Sequence, residues 1–131
     1  MENLIKTLVA IGGGAASYFL GGWSSLLGVL LAFVVIDYIS GVVAAAIEGK
    51  LNSAVGLKGI SKKVFVFVLV GVANLVDVSL GDTHFFRDAT IFFYLANELL
   101  SILENAGRVG VPIGPLGQAV ELLKGRGEIK K

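Results

Sequence analysis

The sequence predicts an all-α integral membrane protein with about four transmembrane helices and a short amphipathic helix near its C-terminus. Hydrophobic residues make up 55% of the 131 residues and charged residues only 16%, whereas a soluble domain carries about 25% charged residues. The mean hydropathy is +0.83. Four apolar runs, each near the length that crosses a bilayer, follow one another, and nearly all the basic residues lie outside them. These observations indicate lipid as the solvent for most of the chain.

The first predicted span covers about residues 5–20. Its run Gly12-Gly13-Gly14 lowers its apolar character, so an alternative with three spans, in which this segment only lies in the membrane interface, stays open. The joint Gly21-Gly22-Trp23-Ser24 follows. Glycines permit the tight turn, and a tryptophan suits the headgroup level.

The second predicted span, residues 25–47, is the strongest, since it contains the run LLGVLLAFVVI. Residues 48–63 are predicted to form the one substantial internal loop, on the cytoplasmic side. The third predicted span, residues 64–80, is rich in β-branched and aromatic residues, which in water would suggest a buried strand. Its length and its apolar neighbours favour a helix.

The fourth predicted span, residues 86–103, is weakened by three charged residues, Arg87, Asp88 and Glu98. A run rich in glycine and containing both prolines follows and is expected to end the helix. Residues 105–131 are predicted to form a cytoplasmic tail. Within this tail, residues 116–124 place Leu116, Ala119, Val120 and Leu123 on one face, as in a short interfacial helix.

The positions of the basic residues predict the orientation in the membrane. Of the 11 lysines and arginines, all but Arg87 lie at the N-terminus, between residues 48 and 63, or in the tail. Four spans place these three segments on one side, and the positive-inside rule makes that side the cytoplasm. Both termini are therefore expected on the cytoplasmic side of the membrane. Three spans would leave Lys6 as the only basic residue outside.

Several polar residues interrupt the predicted spans, where a charged group is costly and marks a bundle interior or a pathway. They form two stripes at helical spacing and one further acidic position. The candidate pore-lining or oligomer-contact residues are Asp37, Gly41, Asp77, Asn97, Glu98, Ser101 and Glu104. Three interpretations stay open: hydrogen bonding between helices of one monomer, a water-filled lumen in an oligomer, and a proton or ion relay.

The residue types present argue against several chemistries. The chain has no cysteine and a single histidine, His84, so we expect no thiolate nucleophile and no metal site. No serine, histidine and aspartate are spaced as a nucleophile elbow requires, and no cofactor motif occurs. The protein is therefore predicted not to be an enzyme. Lys50, Lys58, Lys62 and Lys63 are interpreted as a topology signal and a contact to anionic lipid, and no nucleic acid is expected as a partner.

Three strings of residues carry a resemblance to a known family. They are DYISGVVAAAIEGKLNSAVGLKGISKKV at 37–64, VGVANLVD at 70–77 and YLANELLSILENAGRVGVPI at 94–113. Their order resembles the toxin-secretion and phage-lysis holin family, the group that includes the clostridial toxin-release protein. The similarity covers about residues 30–125. Gly114, between Val-Pro-Ile and the next proline, departs from the usual pattern, and the first 25 residues match little.

The resemblance implies a function. Proteins of this family accumulate in the bacterial cytoplasmic membrane and then oligomerise into lesions. These lesions depolarise the membrane and release a cell-wall hydrolase or a large toxin, which is cargo and is not bound directly. The expected partners are thus membrane lipid and further copies of the chain. The alternative from the residues alone is a subunit of a small ion or proton channel or transporter.

Overall fold

The computed structural model describes residues 1–118 and Leu122, and this part of the chain is helical with short connections. Four long helices follow in order: α1 (Glu2–Phe19), α2 (Ser25–Ile47), α3 (Ser53–Ser79) and α4 (Phe85–Val109). The helical fold predicted from the sequence is confirmed. Residues 115–118 are also helical, but residues 119–121 and 123–124 of the predicted amphipathic helix lie outside the described residues.

Helices α2, α3 and α4 form a bundle in which α2 packs most extensively on α4. Arg87, at the start of α4, contacts Ser24 at the start of α2. Arg108, at the end of α4, contacts Glu48 at the end of α2. Helices α2 and α4 therefore run in the same direction, and α3 returns between their ends.

The packed core of the bundle is small. It consists of Leu27, Leu30, Val34, Val70 and Ile91. Many other large apolar side chains point outward. Ile39 of α2 is 57% exposed, Phe65 of α3 64% and Phe93 of α4 66%. A surface of this kind is typical of a bundle whose outer face contacts lipid.

Two of the four helices, α2 and α3, are long and apolar enough to cross a membrane by length and composition, within the part of the chain that the structure describes. By the same measure α1 and α4 do not qualify. The charged residues of α4, including Arg87, Glu98 and Glu104, and the glycines of α1 account for their lower apolar character. The prediction of four spans thus stays a prediction, while α2 matches its predicted bounds of 25–47.

The prediction of a loop over residues 48–63 is wrong for residues 53–63, which form the first three turns of α3. The Asn52 side chain caps this helix by accepting the backbone N–H of Val55 at 2.9 Å, and asparagine is a preferred N-cap residue. The lysines of this segment make it too polar for a membrane span, but lysine is a good helix former. Only residues 48–52 connect α2 to α3.

Helix α4 also extends further than predicted, to Val109 instead of residue 103. The segment Glu104–Val109 contains no proline, and its single glycine, Gly107, does not break the helix. The helix ends at Gly110, whose φ of 98° is the left-handed conformation that glycine adopts readily. The predicted tail, which was placed from residue 105, therefore begins about one turn later.

Helix α1 stands apart from the bundle. None of its residues is buried, and it contacts the other helices only through α3. The contact lies at its C-terminal end, where the Phe19 ring lies directly against Gly71 and occupies the space that a side chain there would need. Asn74 donates to the Phe19 carbonyl at 3.0 Å. Helix α1 is thus attached at one end.

Candidate functional site: two buried polar clusters

Charged side chains from α2, α3 and α4 meet inside the bundle. We call Asp37, Lys63, Glu98 and Asn105 the mid-bundle cluster. Asp37 is 7%, Glu98 3% and Asn105 7% exposed. Such groups are rarely buried unless they are paired.

Lys63 is the centre of the mid-bundle cluster. Its Nζ donates a short hydrogen bond to Asp37 Oδ2 and contacts both carboxylate oxygens of Glu98, at 3.1 Å and 3.5 Å. One ammonium group therefore bridges two carboxylates that come from the other two helices, and the three groups together keep one negative charge in excess. Because all three groups lie between helices, the ion pairs join α2, α3 and α4 at one level of the bundle.

Asn105 completes the cluster from the last third of α4. Its Nδ2 donates to Asp37 Oδ1 at 2.9 Å and to Ser40 Oγ at 3.0 Å. Gly41 lies opposite, and a Cβ there would come within 3.4 Å of Asn105 Nδ2. The small residue at 41 thus lets α2 and α4 approach closely enough for these hydrogen bonds, as small residues do in membrane bundles.

The hydrogen bonds continue from the cluster to one end of the bundle. Arg108 Nη1 donates to Asn105 Oδ1 at 3.1 Å, and Arg108 Nη2 donates to Glu48 Oε1 at 2.6 Å. The Arg108 guanidinium holds the pKa of the Glu48 carboxyl below its usual range. A continuous chain of polar contacts therefore runs from Glu48, at the end of α2, to Glu98 in the middle of α4.

A second polar cluster lies near the opposite end and consists of Asn74, Asp77 and Arg87. We call it the turn cluster. Asp77 is fully buried and accepts the backbone N–H groups of Phe86 and Arg87 at 2.9 Å and 2.8 Å. His84 precedes α4 but makes no side-chain cap hydrogen bond. Asp77 of α3 therefore satisfies the free N–H groups at the start of α4, where a negative charge is favourable.

Arg87 fixes the connection between α1 and α2. Its Nη1 donates to the carbonyl oxygens of Leu20, Gly21 and Gly22 at 3.2, 2.8 and 3.3 Å. These carbonyls end α1, where a cation is favourable. Gly21 has a φ of 84°, and a side chain there would collide with Asn74 and Arg87. The turn cluster therefore requires glycine at this position.

The structure brings some predicted site residues together and separates others. Asp37 and Glu98 share Lys63, and Gly41 lies beside Asn105. Asp77 is about four turns of α3 from Lys63 and belongs to the turn cluster. Asn97 is exposed and, with the half-buried Ser101, lines a groove beside Glu98. Glu104 is exposed and lines a second groove, formed by α2, α3 and α4.

The four predicted lipid-contact lysines also separate. Lys50, Lys58 and Lys62 are exposed, whereas Lys63 turns inward to the two carboxylates. The helical spacing of residues 53–63 accounts for the difference, because Lys63 shares a face with the buried Val70, two turns further along α3.

Asn74, Arg87 and Asn105 were not among the predicted site residues. Asn105 follows Glu98 by seven residues, which is two helical turns and places both on the same face of α4. Helical spacing alone could therefore have identified Asn105 as a site residue. The contacts of Arg87 and Asn74 are to backbone carbonyls of a distant turn and leave no local signal. Among the described residues, no group of three or more His, Cys, Asp or Glu lies close enough to hold a metal ion.

Comparison with known proteins gives consistent results. The model of the bacteriophage holin family matches residues 14–125. An uncharacterized protein of Halalkalibacterium halodurans is 47% identical over 95% of this chain and 97% of its own length. One from Listeria innocua is 45% identical over 86% of this chain and 81% of its own. A protein of Bacillus phage phi105 named "Probable holin" is 37% identical over 75% of this chain and 73% of its own length. No solved structure matches.

Proposed function

Because this chain belongs to the bacteriophage holin family, we propose that it oligomerises in the bacterial cytoplasmic membrane to form lesions that depolarise it. The lesions release a cell-wall hydrolase or a large toxin. The observation that carries the proposal, beyond family membership, is the mid-bundle cluster. It holds two buried carboxylates and one half-buried lysine from three helices within a bundle whose outer surface is largely apolar.

The proposed topology has four crossings with both termini in the cytoplasm. The exposed Lys50, Lys58 and Lys62 lie at one end of the bundle, together with Arg108, which agrees with the positive-inside rule. At the other end, Tyr18 is 87% and Trp23 60% exposed, as in the aromatic belts at membrane surfaces.

The proposed mechanism is an exchange of contacts. In the resting monomer Lys63 pairs with Asp37 and Glu98, and both carboxylates are buried in the bundle and away from lipid. Above a critical density, facing helices exchange contacts within one copy for contacts between copies. The carboxylates then face water, next to Asn97 and Ser101, which already line a groove beside them. The motivation is the high cost of a charge in lipid, which favours any arrangement that hydrates the carboxylates.

The test is induced expression in bacteria with a co-expressed cytoplasmic wall hydrolase, with measurement of membrane potential and of hydrolase release. Asp37→Leu and Glu98→Leu remove the proposed water-facing charges, so they should delay or abolish depolarisation and release while membrane insertion persists. Asp82→Asn is the matched control, since Asp82 is exposed in the turn between α3 and α4. Wild-type timing in both leucine variants, at wild-type membrane levels, would contradict the mechanism.

One observation favours a second candidate, a small ion or proton channel. The polar contacts from Glu48 through Arg108 and Asn105 to Asp37 are continuous, as the polar lining of an ion pathway would be. The same experiment separates the two functions. A channel lets ions leak without release of folded protein, whereas a lesion releases the hydrolase after a delay.

A further inference from the structure

A long groove runs along the outside of the bundle between α3 and α4. It has two parts, of about 640 Å³ and about 500 Å³, which share Leu69 and Tyr94 as lining residues. We call the whole the α3–α4 groove. Its second part is lined by side chains that are almost all apolar, including Val72, Val76 and Phe93. The groove lies away from α1, which contacts α3 at Gly71.

The groove changes character along its length. At the end where α3 begins, Lys58 and Lys62 line it and are exposed. One turn further along α3, the lining residues are apolar: Phe65, Val66 and Leu69. The two lysines are four residues apart and so lie next to each other on the helix surface, where like charges destabilise a helix. An anion between them would remove this repulsion.

The charges of the groove favour an anion over a cation. The first part is lined by three lysines and two carboxylates, which gives 3 − 2 = +1. Asp37 and Glu98 are withdrawn into the bundle and already paired with Lys63. The charge that reaches the groove surface is therefore the positive charge of Lys58 and Lys62.

We propose that the α3–α4 groove binds one anionic phospholipid. The headgroup phosphate lies between Lys58 and Lys62, and an acyl chain follows Phe65 and Leu69 towards Tyr94. The proposal rests on the part of the proposed function that places this end of the bundle at a membrane surface. From Lys62 to Val72 the helix rises about 15 Å, which is about half the hydrocarbon thickness of a bilayer and hence one leaflet. A second copy of the chain would instead need a negatively charged counterpart to these lysines.

The experiment measures lipid contact directly in vesicles. Trp23→Phe with Phe65→Trp leaves one indole, at the apolar wall of the groove. The protein is reconstituted into phosphatidylcholine vesicles with a small, equal fraction of brominated phosphatidylglycerol or brominated phosphatidylcholine. Tryptophan quenching then reports which lipid occupies the groove. We expect brominated phosphatidylglycerol to quench more strongly, with an association constant that falls roughly fivefold for each lysine removed.

Matched variants separate the site from general surface charge. Lys58→Gln/Lys62→Gln should abolish the preference for phosphatidylglycerol, and Lys58→Arg/Lys62→Arg should keep it. Lys6→Gln removes one charge from an exposed position outside the groove and should also keep the preference, whereas Lys58→Gln alone should weaken it. Circular dichroism of each variant checks the helical fold.

Three results would overturn the proposal. They are equal quenching by the two lipids, a preference that survives Lys58→Gln/Lys62→Gln, and a preference that Lys6→Gln weakens as much as Lys58→Gln does. None of these measurements needs a lesion. A chain that binds the lipid but fails to depolarise bacteria would refute the proposed function alone, and one that depolarises them without lipid preference would refute this inference alone.

Discussion

Replacement of Lys63 by methionine tests the role of the mid-bundle cluster in the resting protein. The substitution keeps an unbranched side chain, one atom shorter, and removes its charge. The Lys63 side chain is 20% exposed, and the side chains of Asp37 and Glu98 are 9% and 5% exposed. Lys63→Met therefore leaves two buried carboxylates without their shared counter-charge.

The expected magnitude follows from this burial. Removal of one partner from a buried ion pair costs about 3–5 kcal/mol, a large part of the roughly 5–15 kcal/mol that stabilises a typical protein. A loss of about 3 kcal/mol shifts the equilibrium away from the resting arrangement more than about a hundredfold. We therefore expect lysis to begin earlier after induction than in the wild type, the opposite of the delay expected for Glu98→Leu.

The neighbouring Lys62 provides a matched control. It has the same charge on the same helix but is exposed, so Lys62→Met should change stability by less than about 1 kcal/mol. Lysis onset is followed by culture turbidity, membrane level by immunoblot, and stability by thermal unfolding in detergent micelles. Lys63→Arg retains the charge and should keep the late onset.

The role of Lys63 would be refuted if the Lys63→Met and Lys62→Met variants had the same unfolding temperature and the same lysis onset. So would a Lys63→Met variant that unfolds at a lower temperature yet lyses on the wild-type schedule, because it would separate the cluster from timing. If Lys63→Met is degraded, the double variant Lys63→Met/Glu98→Gln, which leaves one carboxylate fewer, should restore part of its membrane level.

Two further predictions concern the contacts around the bundle. Gly71→Ala should displace the Phe19 ring and lower stability by about 1–3 kcal/mol, as measured by thermal unfolding. Gly107→Ala is the control and should not lower stability, because a Cβ at Gly107 would meet open space. Equal unfolding temperatures for the two variants would contradict the Phe19 contact. The Glu48–Arg108 pair should stabilise the end of the bundle fully above the usual glutamate pKa of about 4.3. Arg108 lowers the pKa of the Glu48 carboxyl in the folded protein. The stabilisation is therefore lost as the pH falls from the usual pKa through that lowered pKa. The difference in unfolding temperature between wild type and Glu48→Gln should therefore shrink below about pH 4, and a difference that grows on acidification would contradict it.

The helices could be predicted from the sequence because their apolar runs are long and their joints are rich in glycine. The bounds of α2 agree because its flanks, Ser24 and Glu48, are polar on both sides of a long and mostly apolar run. The start of α3 was misplaced because hydropathy measures the preference for lipid and not the preference for helix. Residues 53–63 are polar, with three lysines, and still satisfy their backbone hydrogen bonds as part of α3.

The candidate site could be predicted only in part. Helical spacing placed Asp37 and Glu98 on inward faces, and the cost of a charge in lipid indicated that they need partners. The sequence places their partner, Lys63, in the predicted loop and therefore predicts a contact to lipid. Hydropathy does not show that this side chain reaches the carboxylates inside the predicted spans. The pairing of Arg87 with three carbonyls depends on how two connections meet in space, which no spacing along one helix encodes.

The ties between the helices also determine how the bundle can move. Helices α2 and α4 are joined at both ends, through Arg87 to Ser24 and through Arg108 to Glu48, so they form one rigid frame. Helix α3 is fastened to that frame at Asp77 and at Lys63, which are separated by about 21 Å of helix. With Asp77 as a pivot, a tilt of α3 by roughly 10° carries Lys63 sideways by about 4 Å, more than the reach of a hydrogen bond. A small angular displacement near one end of the bundle is thereby amplified into the complete loss of an ion pair about 21 Å away.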